Sequence, residues 1–352
     1  MGEEGGIPLK RTGIVIIAAG LFIFLLYLYF FVPFGSFLAD IKKANLFYYS
    51  LAFGAMLLSA VFYSFAWKCL LHILSFKSSF LKAFQIVWIG GFVDLLVPAE
   101  SISGDISRVY LMSKESGEAE GAGKVAASVI AHRVLSTTVT LGGLVISTIY
   151  FAVMYKPPML VLEFVSLIGA GTLLTLALIF YFSRKRQATT KIADWIVRSL
   201  ARLSRGRWKF ERLKHSAEKL LKAFHDGIDT LIAQKSRLIL PVSLSILAWA
   251  LDLLISVLVF QALDALRSFS LVAIVYSISV TIQTIPIGVP GEVGLLDIVM
   301  TSLYGLLGVD IATAAVATIL IRVITLWLRL LIGGLTAQWL GIKGFKPPST
   351  AA

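Results

Sequence analysis

Six stretches of this chain, 14–32, 47–74, 125–155, 159–182, 238–263 and 311–340, are each long and apolar enough to cross a lipid bilayer, which takes about 20 predominantly apolar residues. Hydrocarbon offers the backbone no hydrogen-bond partner, so a polypeptide crossing it in segments of this length does so as helices. The fold class is therefore all-α, a polytopic integral membrane protein. Composition agrees: 58% of the residues are hydrophobic, 15% are charged, and the mean hydropathy is +0.87. A soluble chain sits near ~45–50% apolar and ~25% charged, and this one lacks the polar atoms to cover its own surface in water. The single cysteine, Cys69, lies in an apolar run and excludes a disulfide framework or a cysteine-based metal site.

The formal net charge of +12 is concentrated in one place. Between positions 184 and 237 there are 15 Lys or Arg against 5 Asp or Glu. Apolar residues recur there at helical spacing (Ile192, Trp195, Ile196, Leu200 and Leu203, then Leu213, Leu220, Leu221, Phe224, Ile228 and Leu231), which predicts two amphipathic helices broken near 204–206. Such helices beside a span belong on the anionic inner leaflet, where each cation gains about 1 kcal/mol. No nucleic-acid-binding fold surrounds them, so no nucleic acid partner is expected. With the N-terminus inside, 25 of the 32 Lys and Arg fall on the inner side or its boundary, and the positive-inside rule then places both termini in the cytoplasm of a cell-membrane protein. Phe30, Phe31, Tyr48, Tyr49, Trp67 and Trp339 lie near span ends and read as interfacial anchors.

Two further apolar stretches, 80–98 and 269–289, each run into a Pro/Gly break and a second short helical run. Irregular backbone at membrane depth survives only where protein or a watery cavity satisfies it. These are read as re-entrant or broken-helix hairpins, 80–112 and 269–308, with full crossing by each arm as the open alternative. The single membrane domain, 1–352, then divides into a first half (14–182), the basic segment (184–237) and a second half (238–340). The halves follow one order at an offset of about 189 residues: a long span, a Pro/Gly hairpin, and a span carrying arginine. An odd number of crossings separates them, so they are inverted. Inverted repeats with paired broken helices point to a transporter whose site lies between them near the midplane.

Charges inside the spans carry the chemistry. An arginine at the bilayer centre costs at least ~2.5–3.5 kcal/mol on insertion scales. Arg133 lies in the third span, and Arg322 and Arg329 in the sixth. Thr318, Arg322, Thr325 and Arg329 fall on one helical face, as do Arg133, Thr137 and Thr140, with Ser128, His132 and Ser136 adjacent. Asp94, Glu100, Asp105, Asp252, Glu292 and Asp297 are the candidate acidic partners. Two roles fit the arginines: pinning their own hairpins through carboxylates such as Asp105 and Glu292, or meeting an anionic headgroup directly. His132 reads either as a satisfied core histidine or as a proton carrier. The four histidines show no metal-ligand spacing, and no D-x-D, D-D-x-x-D or H-E-x-x-H occurs, so neither a metal nor a cofactor is expected.

Gly91-x-x-x-Asp94-x-x-x-Pro98, Gly104-Asp105-x-x-Arg108, Arg133 in the following helix, Pro286-x-x-x-Pro290-Gly291-Glu292-x-Gly294 and Arg322-x-x-Thr325-x-Trp327 resemble the flippase-like transmembrane domain of the lysylphosphatidylglycerol synthases, also called multiple peptide resistance factors. The resemblance covers roughly residues 10–340. It implies a polytopic helical domain with re-entrant elements that moves lipids between leaflets. The bifunctional synthases continue into a cytosolic aminoacyl-transferase domain, whereas this chain ends at Ala352, so lysyl transfer is not expected of it. Asp94 and 101–103 stand where relatives more often show Asn and a Gly-rich turn.

The resulting expectation is a flippase-like protein for an anionic or polyprenyl-phosphate-linked lipid. Arg108, Arg133, Arg322 and Arg329 would meet the headgroup, and Asp94, Pro98, Gly104, Asp105, Pro286, Pro290, Gly291, Glu292 and Gly294 would shape the gating hairpins. The alternatives are a non-catalytic partner of an envelope-lipid or glycolipid biosynthetic enzyme, and a membrane-embedded glycosyl or aminoacyl transferase acting on a lipid-linked substrate.

Overall fold

A computed structural model describes residues 44–97, 102–114, 119–155, 158–203, 210–265, 268–283 and 289–340. The first expected span, 14–32, and the loop residues Pro98, Glu100 and Pro286 lie outside these. The described elements are all helical: α1 (Leu46–Ile73), α2 (Phe80–Leu96), α3 (Ile102–Ser113), α4 (Ala119–Tyr155), α5 (Met159–Arg184), α6 (Arg186–Leu203), α7 (Phe210–Ala233), α8 (Ile239–Ala262), α9 (Phe269–Ile282), α10 (Leu295–Leu306), α11 (Ile311–Arg322) and α12 (Arg329–Trp339). A 3₁₀ turn, Lys235–Leu238, leads into α8, another, Pro290–Glu292, precedes α10, and a π-helical segment, Val323–Leu328, joins α11 to α12. Among the described residues, five helical units are long and apolar enough to cross a membrane: Leu46–Ile73, Ala119–Tyr155, Met159–Arg184, Lys235–Ala262 and Ile311–Trp339. They correspond to the second to sixth expected spans. The protein is an all-α, multi-pass membrane protein.

Local chemistry sets the ends. The Asn45 side chain accepts from Phe47 N–H at 3.0 Å, that of Ser79 from Lys82 N–H at 3.2 Å, and that of Asp310 from Thr313 N–H at 3.1 Å, each filling a donor that a helix start leaves open. α2 and α9 have 17 and 14 residues, roughly 25 and 21 Å at 1.5 Å per residue. Both fall short of the ~30 Å hydrocarbon core.

The 189-residue interval is visible in the elements themselves. Leu46–Ile73 and Lys235–Ala262 both have 28 residues and are related by adding 189 to each bound; the starts of α2 and α9, Phe80 and Phe269, differ by the same interval. α1 and α8 pack side by side and antiparallel: Asn45 N–H donates to the Ala262 carbonyl at 2.8 Å, and Ser59 Oγ donates to the Ala248 carbonyl at 3.1 Å. Residues 59 and 248 are themselves 189 apart, so the helices touch at equivalent positions, as they would on a two-fold axis. The packing is reciprocal around this pair, with α2 lying on α12 and α9 on α4. A Cβ on Gly333 of α12 would come within 2.6 Å of the Trp88 carbonyl oxygen and 2.7 Å of Phe92 Cβ, which is why α12 can approach α2 so closely. The main apolar core lies largely in the second half, where Phe260 of α8 meets Tyr304 of α10 edge-on at 4.8 Å, and it takes in Met56 of α1 and Phe151 of α4 from the first half. α5 is the most outward helix: Leu167, Leu173 and Leu174 are exposed, and they suit hydrocarbon.

The basic segment departs from expectation. α6 and α7 form, but the apolar stripe of α7 is not laid on lipid. Phe224, Ile228 and Leu231 are buried against Leu70, Ile73 and Leu74 of α1 and Ala127 of α4. Small residues permit this: a Cβ on Gly123 would strike the Leu220 carbonyl and lie 2.7 Å from Ala223 Cβ, and one on Gly227 would lie 2.9 Å from Ala127 Cβ. Protein surface thus competes successfully with the membrane for α7. α6 folds back on α7, tied by Arg186 to Asp226 at 2.8 Å and Asp229 at 2.9 Å. Those carboxylates, Asp229 foremost, raise the Arg186 guanidinium above its ordinary pKa. α6 presents Ile192 and Trp195 outward.

Two presumed anchors also differ. Trp67 is fully buried and donates Nε1–H to Ser128 Oγ at 3.0 Å. The Tyr49 hydroxyl donates to the Leu320 carbonyl at 3.2 Å. Trp339, at the end of α12, is exposed.

Candidate functional site

Between the halves lies a cavity of about 390 Å³. Its wall takes Tyr63 from α1, Trp88 and Asp94 from α2, Asp105 and Arg108 from α3, and Arg133, Ser136, Thr137 and Thr140 from α4. The second half supplies Trp249 and Asp252 from α8, Tyr276 from α9, Arg322 from α11, Thr325 from the π-helical segment and Arg329 from α12. All four expected arginines are on this wall.

In the first half, α2 and α3 form a tight hairpin. A Cβ on Gly104 would lie 2.6 Å from the Gly90 carbonyl oxygen, so glycine sets the closeness of the two helices. Asp94 Oδ1 accepts from Gly104 N–H at 2.6 Å and from Ser103 Oγ at 2.9 Å, so α2 caps α3 across the turn. Asp105, one residue on, faces α4 and bonds to Arg133. It also lies 3.4 Å from Arg108. Arg108, 5% exposed, donates to His132 Nδ1 at 3.0 Å and lies 4.2 Å from the Trp67 ring centroid and 5.7 Å from that of Tyr63. A guanidinium can only donate, so Nδ1 is the acceptor and the ring proton sits on Nε2, which is buried without a hydrogen-bond partner. His132 is thereby the neutral acceptor that completes the Arg108 shell. Burial between two aromatic faces and two polar partners is how a cation deep in a helical bundle is made tolerable.

The second half pins its arginine differently. Gly291 and Gly294 adopt φ of 59° and 85°, conformations that glycine reaches without penalty, and they turn the chain from the 3₁₀ turn into α10. Arg322 donates to the Gly291 carbonyl and lies 3.3 Å, through Nε, from Asp297 Oδ1. The other oxygen of Asp297 accepts Gly294 N–H at 2.8 Å. Asp297, not Glu292, is therefore the carboxylate that meets Arg322. Glu292 sits inside the turn at φ 49° and is fully buried, whereas Asp297 stands in the first turn of α10 facing α11. Pro290 opens the 3₁₀ turn at the tip, and the C-terminal end of α2 lies against that turn. Arg329 pairs with Asp252 of α8 at 2.7 Å.

The stripe expected on the sixth span is only partly kept. Arg322, Thr325 and Arg329 reach the cavity, but Thr318 is buried against Thr301 of α10, whose hydroxyl donates to it at 3.2 Å. The π-helical segment Val323–Leu328 follows Arg322, so it changes the register of Arg329 relative to Arg322 and leaves Thr318 unaffected. Pattern reading also overlooked Tyr63, Trp88, Trp249 and Tyr276. Trp88 and Trp249 carry buried indole N–H groups with no hydrogen-bond partner among the described residues. A tryptophan in the middle of an apolar run, away from the interface where that residue is ordinarily found, was the available signal.

Helices long and apolar enough to cross a membrane, a cavity of about 390 Å³ between two similar halves and guanidiniums on its wall define a polytopic membrane protein with an internal polar site. The chain belongs to the family described as the lysylphosphatidylglycerol synthase TM region, whose model matches residues 16–333. Its relatives include UPF0104 membrane proteins from three archaea. That of Pyrococcus horikoshii is 23% identical over 295 residues, covering 83% of this chain and 87% of the relative. One of Methanothermobacter thermautotrophicus is 25% identical over 304 residues (86% and 88%), and that of Methanocaldococcus jannaschii 25% over 331 residues (92% and 93%).

Proposed function

We propose that this protein binds the phosphate-bearing headgroup of an anionic or polyprenyl-phosphate-linked lipid in the cavity between its halves and carries it between leaflets of the cell membrane. The acyl or prenyl chains stay in the surrounding lipid, and both termini lie in the cytoplasm. One observation carries the reading: arginines from both halves converge on one cavity of about 390 Å³. A guanidinium recognises a phosphate oxygen pair through parallel N–H bonds, and a low-dielectric wall strengthens the attraction. Arg133 and Arg322 are 189 residues apart, so each half places an arginine at a corresponding position of the cavity wall. The hairpins α2–α3 and α9–α10 open the site alternately. α6, basic and with Ile192 and Trp195 outward, rests on the anionic inner leaflet.

The test is translocation of fluorescent phosphatidylglycerol in proteoliposomes, read by quenching of the outer-leaflet probe. Wild-type protein accelerates the exchange. Arg329→Ala and Arg322→Lys slow it by about tenfold or more, the scale of one lost charge-assisted contact. Rates equal to wild type in both variants, each folded, would dismiss the role given to the arginines.

A further inference from the structure

Every guanidinium on the cavity wall already has a carboxylate. Arg108 and Arg133 share Asp105, Arg322 faces Asp297 at 3.3 Å, and Arg329 holds Asp252 at 2.7 Å. An anion that takes one of these arginines leaves its carboxylate uncompensated in a poorly polarisable setting, at a cost comparable to the gain. The exchange becomes favourable when a positive charge arrives with the anion.

The pairs are not equally able to open. Asp105 and Asp297 stand in the first turns of α3 and α10, and their arginines tie those hairpins to the following spans. Arg329 and Asp252 join α12 to α8 and hold no hairpin. Their side chains are 38% and 23% exposed, against 4% and 3% for Arg322 and Asp297. The repeat isolates the same pair. Arg322 has Arg133 as its counterpart 189 residues earlier, whereas Asp252 and Arg329 have Tyr63 and Thr140. All four of these positions line the cavity, so one side of an otherwise duplicated site carries an ion pair that the architecture does not require.

We propose that Asp252 is a cation-binding position that loads when an anionic headgroup takes Arg329, coupling anion binding to one positive charge. This rests on the reading of the cavity as an anion site. Arg329 from α12 contacts Asp252 directly, and Tyr276 from α9, Tyr63 from α1, Arg133 from α4 and Arg322 from α11 are the other titratable or charged groups that these elements present to the same hollow. A proton on the Asp252 carboxylate, a sodium ion beside it, or the ammonium of a zwitterionic headgroup would each supply the charge, and the test separates them.

The full chain in maltoside detergent is titrated with dihexanoyl phosphatidylglycerol by calorimetry, in two buffers of different ionisation enthalpy and with or without sodium, and then with dihexanoyl phosphatidylethanolamine. The wild type takes up about one proton or one sodium ion per phosphatidylglycerol bound, or else binds the ethanolamine lipid about fivefold more tightly with neither ion, the scale of one partly exposed ion pair. Asp252→Asn abolishes the uptake or the preference and tightens phosphatidylglycerol binding about fivefold, because Arg329 no longer has to be released. Phosphatidylglycerol binding with no ion uptake, no preference for the ethanolamine lipid and no change in Asp252→Asn would overturn the coupling and leave the anion site standing. Absence of binding by the wild type to either lipid would overturn both.

Discussion

Asp297→Ala should be among the costliest single substitutions in the second half. Asp297 is buried and its carboxylate serves two groups: it accepts Gly294 N–H at 2.8 Å and lies 3.3 Å from the guanidinium of Arg322, which is also buried. Removing it strands a buried cation, which costs about 3–5 kcal/mol. A buried N–H without an acceptor costs a further ~1–3 kcal/mol. The bond from Arg322 to the Gly291 carbonyl survives and offsets part of this, so the expected loss is about 3–5 kcal/mol in all. In Arg322→Met/Asp297→Leu both charges leave together and chiefly the Gly294 donor is stranded, so the double variant should lose only about 1–3 kcal/mol. The comparison is an unfolding titration with a denaturing detergent on wild type, Asp297→Ala, the single variants Arg322→Met and Asp297→Leu, and the double. A single-variant loss below ~1 kcal/mol, or a double-variant loss equal to the sum of the singles, would refute the view that this pair is held as a buried, mutually dependent unit.

Gly123→Leu places a side chain against the Leu220 carbonyl and Ala223, and should destabilise the fold by about 1–3 kcal/mol, measured by thermal unfolding in detergent. Trp67→Phe loses the bond to Ser128 and part of the stacking on Arg108, an expected cost of about 1–2 kcal/mol in the same assay. Trp88→Phe removes an indole N–H that has no hydrogen-bond partner among the described residues; its unfolding temperature should match wild type, while affinity for dihexanoyl phosphatidylglycerol falls severalfold if that donor meets the headgroup.

Much of the architecture was legible because hydrophobicity along a membrane helix is a strong, one-dimensional signal. Five of the expected spans coincide with long helices to within a few residues, apart from the earlier start of α4 at Ala119. The 189-residue interval was legible from Arg133 and Arg322, although few letters match, because a buried cation is costly enough to mark its position. What stayed hidden was decided by tertiary contact. An amphipathic stripe says that a helix buries one face but not against what, so α7 could not be told from a helix lying on lipid until Leu70, Ile73 and Ala127 were seen beneath it. The partner of Arg322 depended on the turn at Gly291 and Gly294, which carries Asp297 to the guanidinium and turns Glu292 into the core. The π-helical segment between Arg322 and Arg329 leaves no mark in a 3.6-residue periodicity, nor does the contact of Thr318 with Thr301.

The seat of α7 against α1 and α4 bears on how the protein is made. Both membrane helices emerge from the ribosome well before residues 210–233, yet the surface they share is covered by that later segment. The first half must therefore wait in the translocon's neighbourhood with Leu70, Ile73 and Ala127 uncovered until α7 is synthesised on the aqueous side and clamps down. Chain order and assembly order differ at this point, and a ribosome stalled before residue 233 should hold a first half that has been inserted but has not closed.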